Sequence, residues 1–228
     1  MNCWICGGDG TTGEHLAKAS DLKAIFRKAT QQKPIFFNTN SQRNIRVSSI
    51  KRSRHLKSSA LICPYCNNVR TAPYDRAWEK LSTYLRGKKP AIRKGDIIKL
   101  GKIFPGAARK SMLDVHLFFV KLFGCAIIEY DISIDIAGFS NAIMNQESHP
   151  KVFLAFSPLP DFVIKNHVGR SNLELESIGG KCMYATWFYI VGSIVVNIIY
   201  AEPSEHRKGL IYAWHPSTVS KTLHICQV

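Results

Sequence analysis

Two kinds of apolar spacing divide the chain. From Asp75 to about Leu85, Ala77, Trp78, Leu81 and Leu85 recur at helical intervals. This predicts an amphipathic helix with Asp75 as its N-cap, Glu79 in its first turn and Pro73 interrupting the chain ahead of it. Ser111 to Ile128 is a longer apolar helix, through Met112, Val115, Phe118, Phe119, Leu122 and Phe123, and a shorter one follows around Ile134–Met144. Beyond that the pattern changes to short β-branched and aromatic runs. Strands are expected at Val152–Phe156, Phe162–Asn166, Leu173–Ile178, Met183–Val191, Ile194–Tyr200 and Leu210–Trp214. Strands in sequence with short turns predict an antiparallel sheet with helices on one face.

The first 90 residues are less regular. Leu22, Ile25 and Phe26 suggest a short helix capped by Ser20 or Asp21. Extended pieces are expected at Pro34–Phe37 and Ile45–Ile50, and a helix starts at Asn67–Arg70. Arg86 to Gly95, RGKKPAIRKG, is basic, carries Pro and Gly and breaks the pattern, so a boundary is placed there. The fold class is α+β: residues 1–90 form one module, and residues 96–228 a helix plus antiparallel-sheet domain. Met183 to Ala201 is uncharged and apolar, but Gly192-Ser193 splits it. Two strands fit it better than a membrane span, and no membrane partner is expected.

Charge sharpens this division. Residues 1–95 carry 19 Lys and Arg against 5 Asp and Glu, a balance of +14, out of +15 for all 228 residues. No acidic residue lies between Asp21 and Asp75, an interval that includes Arg43, Arg46, Lys51, Arg52, Arg54 and Lys57. A one-sign field of this kind attracts polyanions, and these six residues are the candidate nucleic-acid contacts. His55, among them, is a further candidate phosphate contact.

Cysteine spacing adds chemistry. Cys3/Cys6 and Cys63/Cys66 are two C-x-x-C pairs, 56 residues apart. Each closes a tight knuckle, and four thiolates make the tetrahedral structural site that Zn²⁺ prefers. Seven cysteines, an odd number, argue for a reducing, cytoplasmic setting over a disulfide framework. MNCWICGG has no secretory signal pattern. Cys125, Cys182, Cys226, His116 and Trp78 are expected in the core, with Tyr74 and Trp78 as weaker candidates for base stacking.

TGEHL (Thr12–Leu16) follows the first knuckle and Asn67 follows the second directly. Folding the two knuckles together brings Glu14, His15 and Asn67 close: two oxygen ligands for a hard cation and an imidazole beside them. CWICGG, TGEHL, LICPYCNN and the helix after them resemble the HNH endonuclease family, the ββα-metal (treble-clef) fold, over about residues 1–85. The resemblance implies His15 as general base, with Glu14 and Asn67 holding a catalytic Mg²⁺ or Mn²⁺, and DNA ends left as 5′-phosphate and 3′-hydroxyl. It departs from the family at the middle Asn, whose place is taken by Ser58; Asn38, Asn40 and Asn44 are nearby substitutes.

The expected function is a metal-dependent DNA endonuclease. The alternatives are a zinc-stabilised nucleic-acid-binding module without catalysis, and a partner-binding adaptor whose basic half is incidental. The nearly neutral C-terminal half would select the target, sense a signal or form a homodimer.

Overall fold

The computed structural model describes residues 2–39, 41–160, 167–206, 208–218 and 220–226. β1 (Thr12–His15) leads into α1 (Ala19–Phe26), the short strands β2 (Ile35–Phe37) and β3 (Ile45–Val47), and then β4 (Lys57–Ile62). β4 pairs antiparallel with β1, and β2 with β3. A wide helical turn, Cys66–Arg70, runs into α2 (Ala72–Gly87). β5 (Ile97–Lys99) and α3 (Leu100–Ile103) precede the long helix α4 (Ala108–Glu129) and then α5 (Ile136–Asn145). The remainder is β6 (Val152–Pro158), β7 (Val168–Arg170), β8 (Glu174–Ile178), β9 (Lys181–Val191), β10 (Ile194–Ala201) and β11 (Thr222–His224). The protein is thus α+β, with five α-helices and several antiparallel sheets among the described residues.

The large sheet has the order β6-β10-β9-β7. β9 is long enough to pair with β8 near its start and with β7 at its end. The β9–β10 turn carries Gly192 at φ +58°, a left-handed conformation that suits glycine, so the Met183–Ala201 run is a hairpin as expected. The expected strand at Phe162–Asn166 lies outside the described residues. Leu210–Trp214 is not a strand: the chain makes a 3₁₀ turn over Lys208–Tyr212, and only Trp214 bridges to Leu154. Ile211 and Tyr212 are solvent-exposed there, so no sheet face recruits them.

Two expected helix starts are corrected. Pro73 does not break the helix; it sits in the first turn of α2, where a missing N–H disrupts no helical bond. Asp75 is therefore inside that turn and caps nothing. Asp21 does not cap α1 either. It faces inward, fully buried, and accepts hydrogen bonds from Trp78 Nε1 at 2.7 Å and the Tyr189 hydroxyl at 2.8 Å. Burial raises its carboxyl pKa, and those two donors and Arg86 oppose that rise.

α4 organises the core. It has the length and hydropathy of a membrane span, yet most of it is enclosed by the rest of the protein. A helix apolar on all sides must be covered on all sides. α2, α5, β4 and β6 supply that cover. Trp78 of α2 stacks on Phe118 at 5.6 Å and meets Phe119 and Tyr189 edge-on, so its role is core packing. His116 of α4 is fully buried and accepts from the His149 amide.

The segments on either side of 86–95 share one hydrophobic cluster, from Ile5 and Ile62 to Tyr200 and Ile225. Ser140 of α5 donates to the Ile5 carbonyl at 2.6 Å. The indole of Trp4 packs against Gly124 of α4 so closely that any side chain there would overlap it.

Candidate functional site

The two C-x-x-C pairs meet. The Sγ atoms of Cys3, Cys6, Cys63 and Cys66 all lie within 4.8 Å of one another, and no other His/Cys/Asp/Glu cluster of metal-binding geometry occurs among the described residues. Local backbone chemistry builds the first knuckle: Cys3 N–H donates to Gly8 O and Gly7 N–H to Cys3 O. Gly7 takes φ +76°, which completes the turn. In the second knuckle the Cys66 amide donates to Cys63 Sγ at 3.3 Å, and Arg70 Nη1 donates to Cys66 Sγ at 3.1 Å. Donors aimed at sulfur are what a cluster of thiolates requires. The Gly8 amide is the main cause lowering the Cys6 thiol to about 7, whereas burial raises Cys3 and Cys66. Ionisation of the buried pair would come with the metal, since zinc binds thiolate. The residues fit a structural Zn²⁺. All seven cysteines are free thiols, which fits a reducing compartment.

The cluster staples the ends of β1 and β4 together. Thr12 pairs with Ile62 and Gly13 with Leu61, but the register shifts before His15, which pairs with Lys57. Gly13 is needed here, because a Cβ would stand 2.7 Å from the Ser58 carbonyl. The consequence is that Glu14 and His15 reach different partners. Glu14 is buried and turns to α4; His15 turns to the loop before β4.

His15 Nε2 lies 3.2 Å from the Ile50 carbonyl. A carbonyl only accepts, so in the neutral ring Nε2 carries the proton and Nδ1 keeps the lone pair. Burial holds the imidazole pKa below its ordinary value, against the opposing effects of Ile50 and Glu14. The loop that presents Ile50 is shaped by Ser49, whose carbonyl accepts from Ser53 N–H and whose hydroxyl accepts from Arg52 N–H. Ser49 thus braces this loop, a role not read from the sequence. Ser58 instead donates to Glu129. Asn38 accepts from the Asn44 amide and closes the β2–β3 loop; Asn40 lies outside the described residues.

Asn67 is also oriented. Thr12 Oγ1 donates to Ile62 O at 2.8 Å, so it accepts from Asn67 Nδ2 at 3.1 Å. That assigns the amide and leaves Asn67 Oδ1 without a hydrogen-bond partner among the described residues.

Glu14 is more heavily engaged. Oε1 accepts from the His15 amide at 3.1 Å, and Oε2 meets Lys121 Nζ at 2.9 Å. Lys121 is completely buried in α4 and also touches Asp75 at 3.2 Å and Thr71 at 3.4 Å. Burial alone would lower its pKa, but Glu14 and Asp75 hold it above the ordinary lysine value. Lys18 adds a second cation 3.4 Å from Asp75. No sequence pattern marks Lys121, which stands alone in an apolar helix.

The basic run is surface. Arg43, Arg46, Lys51, Arg52 and Arg54 are exposed, Lys57 is half-buried, and none pairs with a carboxylate among the described residues. Arg46 donates to the Gln31 carbonyl. Tyr74 is buried and donates to Ile143 O, which excludes a stacking role. No family model, curated protein or solved structure matches this chain.

Proposed function

We propose that the protein is a metal-dependent endonuclease that hydrolyses phosphodiester bonds of DNA, built on a zinc-stapled ββα-metal module. The observation that carries this reading is the His15–Ile50 hydrogen bond. It fixes the tautomer and leaves Nδ1 as a proton acceptor between the two knuckles, within a strongly basic segment. A neutral imidazole so held takes a proton from an attacking water near neutral pH.

Asn67 Oδ1 and Glu14 would hold the divalent ion, Mg²⁺ or Mn²⁺. Asn67 suits this because its carbonyl oxygen is oriented and unshared. Glu14 suits it less simply. An ionised carboxylate offers about four lone-pair sites, and Lys121 and the His15 amide occupy two of them. A divalent ion there would polarise the scissile phosphate and neutralise the leaving oxygen. Arg43, Arg46, Lys51, Arg52, Arg54 and Lys57 would hold the phosphate backbone.

The Glu14–Lys121 pair favours a second reading, a zinc-stabilised nucleic-acid-binding module without catalysis, because it already neutralises the acidic ligand. Conversion of supercoiled plasmid by purified protein separates the two. The nuclease reading expects nicking or linearisation with Mg²⁺ or Mn²⁺, lost in His15→Ala and Asn67→Ala while DNA binding persists. Intact plasmid under every condition, with binding retained, would put the binding module first.

A further inference from the structure

A groove of about 740 Å³ opens beside the β1–β4 pair. One wall is the β2–β3 hairpin, the other the end of α4 and strand β7, and Arg54–Lys57 lie between them. We infer that this groove binds single-stranded nucleic acid, with unpaired bases stacking on Phe36 and Tyr130 and the phosphates meeting Arg54 and Lys57. The inference rests on the nuclease reading for its direction, since Lys57 lies opposite His15 in the β1–β4 register and Leu16 lines the groove.

Two features of the walls argue for this occupant. Phe36 is 62% exposed and Tyr130 56% exposed, and both line the groove, so each ring is open to a ligand there. Tyr130 is held in place: Arg170 donates to its hydroxyl at 2.7 Å, lies over its ring at 5.4 Å and is anchored to Glu129 at 3.0 Å. A fixed aromatic ring beside cations is the arrangement that single strands use, because every base has a face to stack. In a duplex those faces are already stacked on their neighbours, which leaves Phe36 and Tyr130 nothing to cover them. Charge agrees with this. Arg54, Lys57 and Arg170 line the groove, and among the described residues lining it the one carboxylate is that of Glu129, which Arg170 already pairs.

The test is fluorescence anisotropy with the full chain carrying His15→Ala, so that nothing is cut. The probes are a labelled oligothymidylate, its oligouridylate counterpart and a duplex of equal length. The expected result is tighter binding of a single strand than of the duplex. Phe36→Leu and Tyr130→Leu should each weaken single-strand binding roughly five- to hundredfold, and Phe36→Tyr should retain it. Duplex binding should change less than about twofold, because backbone charge dominates it. Comparison of the two strands shows whether the groove prefers the thymidylate DNA or the uridylate RNA. Duplex binding as tight as either strand, unchanged affinity in both leucine variants, or no binding at all would overturn the inference. Binding is read without cleavage, so wild-type protein that binds strands but leaves plasmid intact would put the binding module ahead of the nuclease and leave the groove standing.

Discussion

Lys121 Nζ lies 2.9 Å from Glu14 Oε2, although the lysine belongs to α4 and the carboxylate to β1. Both groups are shielded from water; Lys121 is the cation paired with Glu14 and is itself shared with Asp75. Lys121→Met would leave Glu14 buried and unpaired, and the expected loss is about 3–5 kcal/mol of stability. The double variant Glu14→Gln/Lys121→Met removes both charges and should recover most of that loss. Urea denaturation of the four species measures it; strictly additive effects would show that the pair is not coupled.

The four-thiolate cluster predicts a single zinc bound per chain. Cys63→Ser should lower the zinc content measured by plasma mass spectrometry and lower the melting temperature together, since a structural metal contributes directly to folding. Cys226→Ser, outside the cluster, should keep both at the wild-type level. Protein that purifies without zinc and melts unchanged in a strong chelator would refute the assignment.

Three imidazoles predict an acid sensitivity. His149 N–H donates to His116 Nε2, and His215 Nε2 meets the His149 carbonyl at 3.0 Å. Burial lowers all three, with His149 down to about 4, helped by the nearby Lys151 and His215 charges. The unfolded chain, with histidine near its ordinary 6.5, therefore binds more protons than the folded one between about pH 4 and 6.5. Stability contributed by the neutral His149 is complete above that window and falls as the pH drops through it, on the order of 3 kcal/mol at most. His149→Asn keeps an acceptor near Nδ1 and cannot titrate. Denaturant midpoints from pH 7.5 to 4.5 should fall less steeply in that variant, and equal slopes would contradict the assignment.

Features whose physics is local were legible before the fold was known. Two residues between cysteines close a knuckle whatever surrounds it, and Gly192-Ser193 marks a turn between two β-branched runs. The helical period from Met112 to Phe123 is likewise set by neighbours three and four places away. What could not be read depends on partners distant in the chain. Asp21 looks like a cap because caps are local, whereas its partners are Trp78 and Tyr189. Lys121 looks like an interruption in an apolar helix because Glu14 is 107 positions earlier. Leu210–Trp214 has strand composition, but no sheet edge receives its first residues. Glu14, His15 and Asn67 stand out in the sequence by their place beside the knuckles; the groups that orient them, Lys121, Ile50 and Thr12, do not.

The packing of Trp4 on Gly124 sets a limit on portability. A metal-binding segment at the start of a chain invites excision and transfer to another protein. Here a cut after residue 90 would uncover the Trp4 indole, strip the Ile5 carbonyl of its Ser140 donor and leave Glu14 without a counter-ion. The four-cysteine segment and the helix behind it would have to be moved together.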